Sequence, residues 1–254
     1  MKGTHLAIQL ADNAIQFVVI QNDFVSHTSQ IKFEDSIGSN QKEPIENHIK
    51  NTSQLNHEFD EVTLSWSFKR STLVPNSIFA DSNAKDIYEL CYGKDSLEHD
   101  IDYNRISELS VINIYEIPVW IKRFFVIKYP RIVIQHEGSH VIRMSLNTEA
   151  FKLKSTAILY KGYFLFSIVK HNNLEFYSFF DYQNHEDIIY HMLFTFHQKE
   201  MTNENGTMEF ILGPGINSDV LTNLKTDLER ISDLKKLKIV TPKHYIAKSQ
   251  LLCV

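Results

Sequence analysis

"STAILYKGYFLFSIVKHNNLEFYSFFDY", residues 155–182, decides the fold. Three strand-like runs, STAILY, YFLFSIVKH and LEFYSFFDY, are separated by Lys-Gly and Asn-Asn. Both breaks are too short for a crossover, and both use residues that accept the backbone of a tight reversal. Runs joined in this way lie side by side and antiparallel, as a meander. "NHEDIIYHMLFTFHQKE" follows, with Ile188, Ile189, Met192, Leu193 and Phe196 spaced by one, three and four, which is the spacing of one helix face. A strand (TMEFIL), a Gly-Pro-Gly turn, a helix (SDVLTNLKTDLERI) and a strand (KLKIV) complete a β-β-β-α-β-α-β order.

Residues 4–34 open in the same way: HLAIQLA, Asp-Asn, AIQFVVIQ, Asn-Asp, FVSHTSQIKFE. A helix from Pro44, the strand EVTLSWSF, the extended piece STLVP and a helix ending at Gly93 come next. A further pair of strands near 101–115, a helix at 117–128, a strand at 131–136 and a helix near 138–149 fill the rest of the first half. The pattern predicts an α/β protein with two related mixed-sheet lobes, 1–150 and 151–254, each opening with a three-stranded meander.

This order resembles the actin, sugar kinase and heat-shock-chaperone ATPase superfamily. More closely, with "TLVPNSIF" after "VTLSWSF" and with the "FILGPGI" turn, the chain resembles an uncharacterised bacterial domain-of-unknown-function family with a bilobed actin-like ATPase fold. The resemblance implies ATP between the lobes, a Gly-rich turn after the first strand of each lobe, and an Asp at that strand's end to anchor magnesium. Magnesium keeps most of its waters, so a carboxylate is the natural anchor. In the first lobe Gln9 stands where the Asp belongs, Ala11 where the Gly belongs, and Gln16 at a common Lys position. Asp12 and Asn13 occupy the turn. In the second lobe Leu159 replaces the Asp, and Gly162 is displaced by one beside Lys161. The nucleoside-contacting turn matches well, with Gly213 and Gly215 around Pro214. Any retained nucleotide would therefore meet Asp12, Asn13, Lys161, Gly162, Gly213 and Gly215. With both carboxylates replaced we expect no catalytic residue and no bound metal or cofactor, Mg-ATP being the one candidate. The expected function is a non-catalytic scaffold or partner-binding protein with a degenerate nucleotide site. The alternative is an ATP-binding switch or weak ATPase with a remodelled interlobe site.

A formal charge of -5 argues against nucleic acid as a partner. A protein partner is what the resemblance implies, since it extends broadly to pilus- and secretion-platform relatives. The basic run "LKKLKIVTPKHYIAK" (234–248) reads as a solvated face. The N-terminus lacks an apolar signal core, and no window reaches the length of a membrane span. With Cys91 and Cys253 as the two cysteines, a cytoplasmic location is expected.

"HEGSH" (136–140) matches the zinc-peptidase pattern, which needs both histidines on one helical turn. The strand-like "RIVIQ" before it places His136 outside any helix, so coincidence is the expected reading; Glu149 would be the nominal third ligand. His185, His191 and His197 recur every six residues, which spreads them around a helix. Trp66, Trp120 and the phenylalanines 164, 166, 176, 179 and 180 read as packing.

Overall fold

The computed structural model describes residues 3–94, 98–147 and 152–253. The junction placed at 150/151, the expected helix end near 149 and Glu149 lie outside these residues. Two compact units divide the chain: Met1–His140 with Ile246–Val254, and Val141–Tyr245.

In the first unit β1 (Thr4–Ala11), β2 (Ala14–Gln21) and β3 (Phe24–Lys32) form the meander. Then come α1 (Lys42–Asn51), β4 (Glu61–Trp66), β5 (Ser71–Pro75), α2 (Ala84–Tyr92), β6 (His99–Ile106), β7 (Val111–Pro118), α3 (Val119–Lys128) and β8 (Val133–His136). α4 (Glu137–Asn147) starts in the first unit and from Val141 belongs to the second. The second unit holds β9 (Leu153–Leu159), β10 (Tyr163–Lys170), β11 (Asn173–Asp181), α5 (His185–Gln198), β12 (Gly206–Leu212), α6 (Asp219–Leu228) and β13 (Leu237–Val240). α7 (Tyr245–Gln250) runs on from it into the last residues of the first unit.

Both large sheets have one topology. The first runs β3-β2-β1-β4-β8 and the second β11-β10-β9-β12-β13, each an antiparallel meander extended by two parallel strands. The middle strand of each meander shifts register six residues in, at Val19/Ile20 and at Ile168/Val169. The second turns also agree. Asn22 and Asp23 have φ of 48° and 68°, and His171 and Asn172 have 50° and 61°. Positive φ at both central residues is the two-residue reversal that suits the twist of a hairpin. In the second meander that turn is His171–Asn172 rather than Asn172–Asn173, since Asn173 already pairs with Lys170. A third sheet, β5-β7-β6, is the extra strand pair with its partner, and α2 packs on it through Tyr88.

The cores follow the pleat. Leu6, Ile8 and Leu10 of β1 face one way with Phe17, Leu64 and Trp66, beneath α1 and α3. Ala7, Val18 and Ile20 face the other way and receive Ala247 of α7, where two small residues allow close approach. In the second unit Leu153, Ala157 and Leu159 join Phe164, Phe166 and Ile168 under Ile188, Met192 and Phe196 of α5. Phe176 and Phe180 pack against that core from β11, and Phe179 lies 6.3 Å from the Tyr163 ring. Trp120 is partly buried against the first core. α5 begins where Asn184 accepts the Asp187 N–H at 2.9 Å and Asp187 reaches back to the Asn184 N–H, a reciprocal cap. Of the basic run, Lys235, Lys236, Lys238, Lys243 and Lys248 are exposed. Among the described residues no helix is long and apolar enough to cross a membrane.

Candidate functional site

The β1–β2 turn is built from Asp12 and Asn13. Asp12 Oδ2 accepts the Ser36 hydroxyl at 2.9 Å, and its carbonyl accepts the Ile37 N–H. The Asn13 carbonyl accepts the Phe33 N–H at 2.8 Å. Both residues thus anchor the chain leaving β3 and seat the buried Ile37. Gln9, one residue before the strand's last pair, is buried between Gln16 of β2 and Ser65 of β4 in the sheet register. An amide there is neutral and cannot balance a metal ion's charge.

The equivalent strand end in the second unit is more fully apolar. Leu159 is completely buried in the second core, and its carbonyl accepts the Gly213 N–H at 2.9 Å. Lys161 and Gly162 form the exposed two-residue turn that follows, with Gly162 at φ 81°. The Tyr182 hydroxyl donates to the Tyr160 carbonyl, and the Tyr182 N–H donates to the Gly162 carbonyl at 3.0 Å. The aromatic pair that flanks the turn, Tyr160 and Tyr163, stacks at 4.9 Å with 17° between the rings.

The Gly-Pro-Gly turn sits against this hairpin. Gly213 and Pro214 are buried. A Cβ on Gly213 would lie 2.2 Å from Tyr160 Cε1, so glycine is required there by the approach of the ring. Gly215 is a glycine for another reason, its φ of 86°. α6 then opens with Asp219, whose carboxylate accepts the Asn217 side-chain amide at 2.8 Å. A helix N-terminus favours negative charge, and here the chain's own carboxylate supplies it. Of the six residues predicted to meet nucleotide, the second unit therefore brings Gly162, Gly213 and Lys161 around one hairpin and turn. Sequence reasoning passed over Tyr160, the residue that fills the space beside Gly213. The signal was an aromatic on each side of Lys-Gly.

In "HEGSH", His136 closes β8 and Glu137 opens α4. His136 is fully buried, and both ring nitrogens have protein partners. Nε2–H donates to the Phe68 carbonyl at 2.8 Å. Nδ1 accepts the Gly138 N–H and the Asn113 amide, each at 3.1 Å. This arrangement requires the neutral ring, and burial lowers its pKa to about 4, with the Phe68 bond opposing in part. Asn113 and Asn104 extend the network to Ser139. His185 pairs with Asp227 at 2.9 Å, His197 with Asp233 at 3.1 Å, and His191 stacks on Phe180 at 4.5 Å, so the three occupy separate places. Among the described residues no group of three His, Cys, Asp or Glu could hold a metal ion.

The fold is that of the actin-like ATPases. A Bacteroides thetaiotaomicron protein described as having an actin-like ATPase fold and unknown function is 18% identical and superposes with a TM-score of 0.76, over 99% of this chain and 96% of that one. A chain of the PilM-PilN type IV pilus biogenesis complex is 8% identical with a TM-score of 0.52, over 93% of this chain and 90% of that one. No curated protein matches the chain in sequence. A family model described as "Protein of unknown function (DUF3822)" matches residues 1–226, and the chain belongs to that family.

Proposed function

We propose that this protein is a non-catalytic actin-like scaffold or partner-binding protein whose nucleotide site has degenerated. The observation that carries the reading is the chemistry of the two strand ends. Where a magnesium-anchoring carboxylate would stand, there is the buried amide of Gln9 and the core side chain of Leu159. Phosphoryl transfer depends on positioned charge and metal, and neither residue supplies them. The Tyr160 ring fills the space beside Gly213 in the turn that would meet the nucleoside, and the carboxylate of Asp219 at the start of α6 disfavours an anion there; both support the same conclusion. The likeness to a chain of a pilus biogenesis complex supports a role in holding another protein.

Thermal unfolding with and without millimolar Mg-ATP tests this. A ligand at 100 times its dissociation constant stabilises by about 2.7 kcal/mol, a shift of several degrees for a chain of this size. We expect almost no shift. A saturable shift with Mg-ATP would establish the nucleotide-switch reading instead. For the partner, the tagged chain should retain one defined protein from its own cells, in equal yield with and without added ATP.

A further inference from the structure

A pocket of about 170 Å³ opens in the first unit between the first residues of β1 and β4, the turn after β2, and Leu251 just beyond α7. The β1–β2 turn is at the far end of β1, roughly 23 Å away at about 3.3 Å per residue. The pocket is therefore independent of the turns described above.

Asp23, Asp60 and Glu61 line it, and no Lys or Arg does so among the described residues. Asp60 Oδ2 accepts the Thr4 N–H at 2.7 Å and the Thr4 hydroxyl at 3.1 Å. These bonds hold its carboxyl below the ordinary value, so they fix its charge rather than cancel it. Glu61 has no hydrogen-bond or ion-pair partner among the described residues, and its Oε2 is buried. His5, also in the wall, stands opposite Glu61 in the parallel register of β1 and β4 and is 4% exposed.

The neighbours of His5 fix its proton. Gln250 Oε1 can only accept, so the Thr63 hydroxyl donates to it, at 2.6 Å. Thr63 Oγ1 then has only lone pairs to offer His5 Nε2 at 2.7 Å, so Nε2 carries the proton. Burial lowers the pKa of the ring from 6.5 to about 4, which keeps it neutral. His5 Nδ1 is thus a lone pair, buried and without a hydrogen-bond partner. Both unmade groups in the wall, His5 Nδ1 and the Glu61 carboxylate, are acceptors. What the pocket lacks is a donor, and an acceptor left unmade is costly. A neutral His5 offsets none of the three negative charges, and walls of one sign focus their field on what enters.

We propose that this pocket binds a small aliphatic amine in its ammonium form. The size selects the ligand: the volume is below the ~300–1,000 Å³ of an ordinary small-molecule cleft, and suits a few methylenes rather than a ring system. The chemistry excludes a bare metal ion, since among the described residues no three His, Cys, Asp or Glu converge as its ligands. The ammonium meets Glu61 and Asp60, with its N–H groups towards His5, and the methylenes lie against Ile20 and Leu251. Three carboxylates exceed what one ammonium offsets, so a diamine is the better match.

The probe is 1,4-diaminobutane, titrated into the full chain by calorimetry beside its uncharged counterpart 1,4-butanediol and beside magnesium chloride. We expect one saturable site per chain for the diamine, at least about ten-fold tighter than for the diol or for magnesium. Glu61→Gln keeps the shape of the side chain, and Asp23→Asn keeps a residue that accepts the left-handed backbone at this turn, φ 68°. Each should weaken the diamine at least about ten-fold with an unchanged circular dichroism spectrum. Glu58→Gln, which removes a carboxylate outside the pocket, should leave the affinity unchanged. No saturable binding, equal affinity for diamine and diol, tighter binding of magnesium, or equal loss in Glu58→Gln would overturn the proposal. So would a ten-fold gain in Lys2→Gln, which would give the pocket to the chain's own lysine.

Discussion

The Tyr160 ring lies so close to Gly213 that a single added carbon would be 2.2 Å from its Cε1 and 2.9 Å from the Leu159 carbonyl oxygen. Gly213→Ala must therefore displace a fully buried aromatic or bend two strands. It should destabilise by about 1–3 kcal/mol, the usual cost of overpacking. Tyr160→Ala removes a buried aromatic and should cost about 3–5 kcal/mol. The two losses share one contact, so denaturant titration of the double variant should show a loss smaller than their sum by about 1 kcal/mol or more. Strict additivity would mean that ring and glycine are not in contact.

His136 gives stability a defined pH dependence. Its pKa is about 4 in the folded chain and ordinarily 6.5. Between these values the unfolded chain binds the proton and the folded chain does not. The stabilisation is thus present above about pH 6.5 and is lost as pH falls towards 4. A difference of about 2.5 in pKa is worth at most about 3 kcal/mol. His5, buried and also lowered to about 4 by burial, acts with the same sign. Melting temperatures of His136→Gln measured from pH 7 to 4.5 should fall less steeply than those of the parent. Parallel curves would show that His136 does not titrate on unfolding.

What the sequence made legible was what local chemistry determines. Both meanders could be read because Asp, Asn and Gly mark their reversals within two residues. The slip at 171–173 arose because Asn-Asn is the stronger turn pair on paper, whereas His171 also accepts left-handed backbone. α7 could not be read: six residues give no period, and Ala247 is buried because Ala7, far away in sequence, leaves room for it. At the candidate site, Lys161, Gly162 and Gly213 were identifiable as turn residues. The Tyr160 ring against Gly213 depends on strands β9 and β12 lying in register, with Leu159 opposite Leu212, a pairing that no local pattern reveals. The partners of His136 are distant in the same sense, since Phe68 and Asn113 belong to other elements.

The His171–Asn172 reversal offers a test of hairpin chemistry. A β-branched residue at a left-handed position crowds its own carbonyl, at a cost of about 1–2 kcal/mol. His171 already carries the Cβ part of that cost, so His171→Val should be destabilised by the added branch alone, up to about 1 kcal/mol. His171→Gly, which carries no such penalty, should lie between neutral and about 1 kcal/mol more stable. Equal stability of the two variants would contradict the φ of 50° at this position.

Glu116 is 2% exposed, with His99 Nδ1 at 3.0 Å and Arg70 Nη1 at 3.6 Å. The three residues are unequally buried, and this decides which substitution is worse. Arg70 is half exposed and His99 partly so; without the carboxylate, both side chains can turn to water. Glu116 cannot, because its backbone carbonyl is fixed by the Trp66 indole at 2.8 Å and its side chain is enclosed. Removing Arg70 leaves a buried carboxylate with one partner fewer, and an under-satisfied buried charge is costly. Arg70→Ala should therefore destabilise by about 1–3 kcal/mol. Glu116→Gln keeps the shape and a hydrogen bond to His99 while removing the buried charge, so it should cost less. In the Arg70→Ala/Glu116→Gln double variant the arginine has no buried charge left to serve, and stability should return towards that of Glu116→Gln alone. Chemical denaturation of the three variants at one pH measures this cycle. If Glu116→Gln proved the more damaging single change, the ion pair would be a source of net stability rather than compensation for a buried charge.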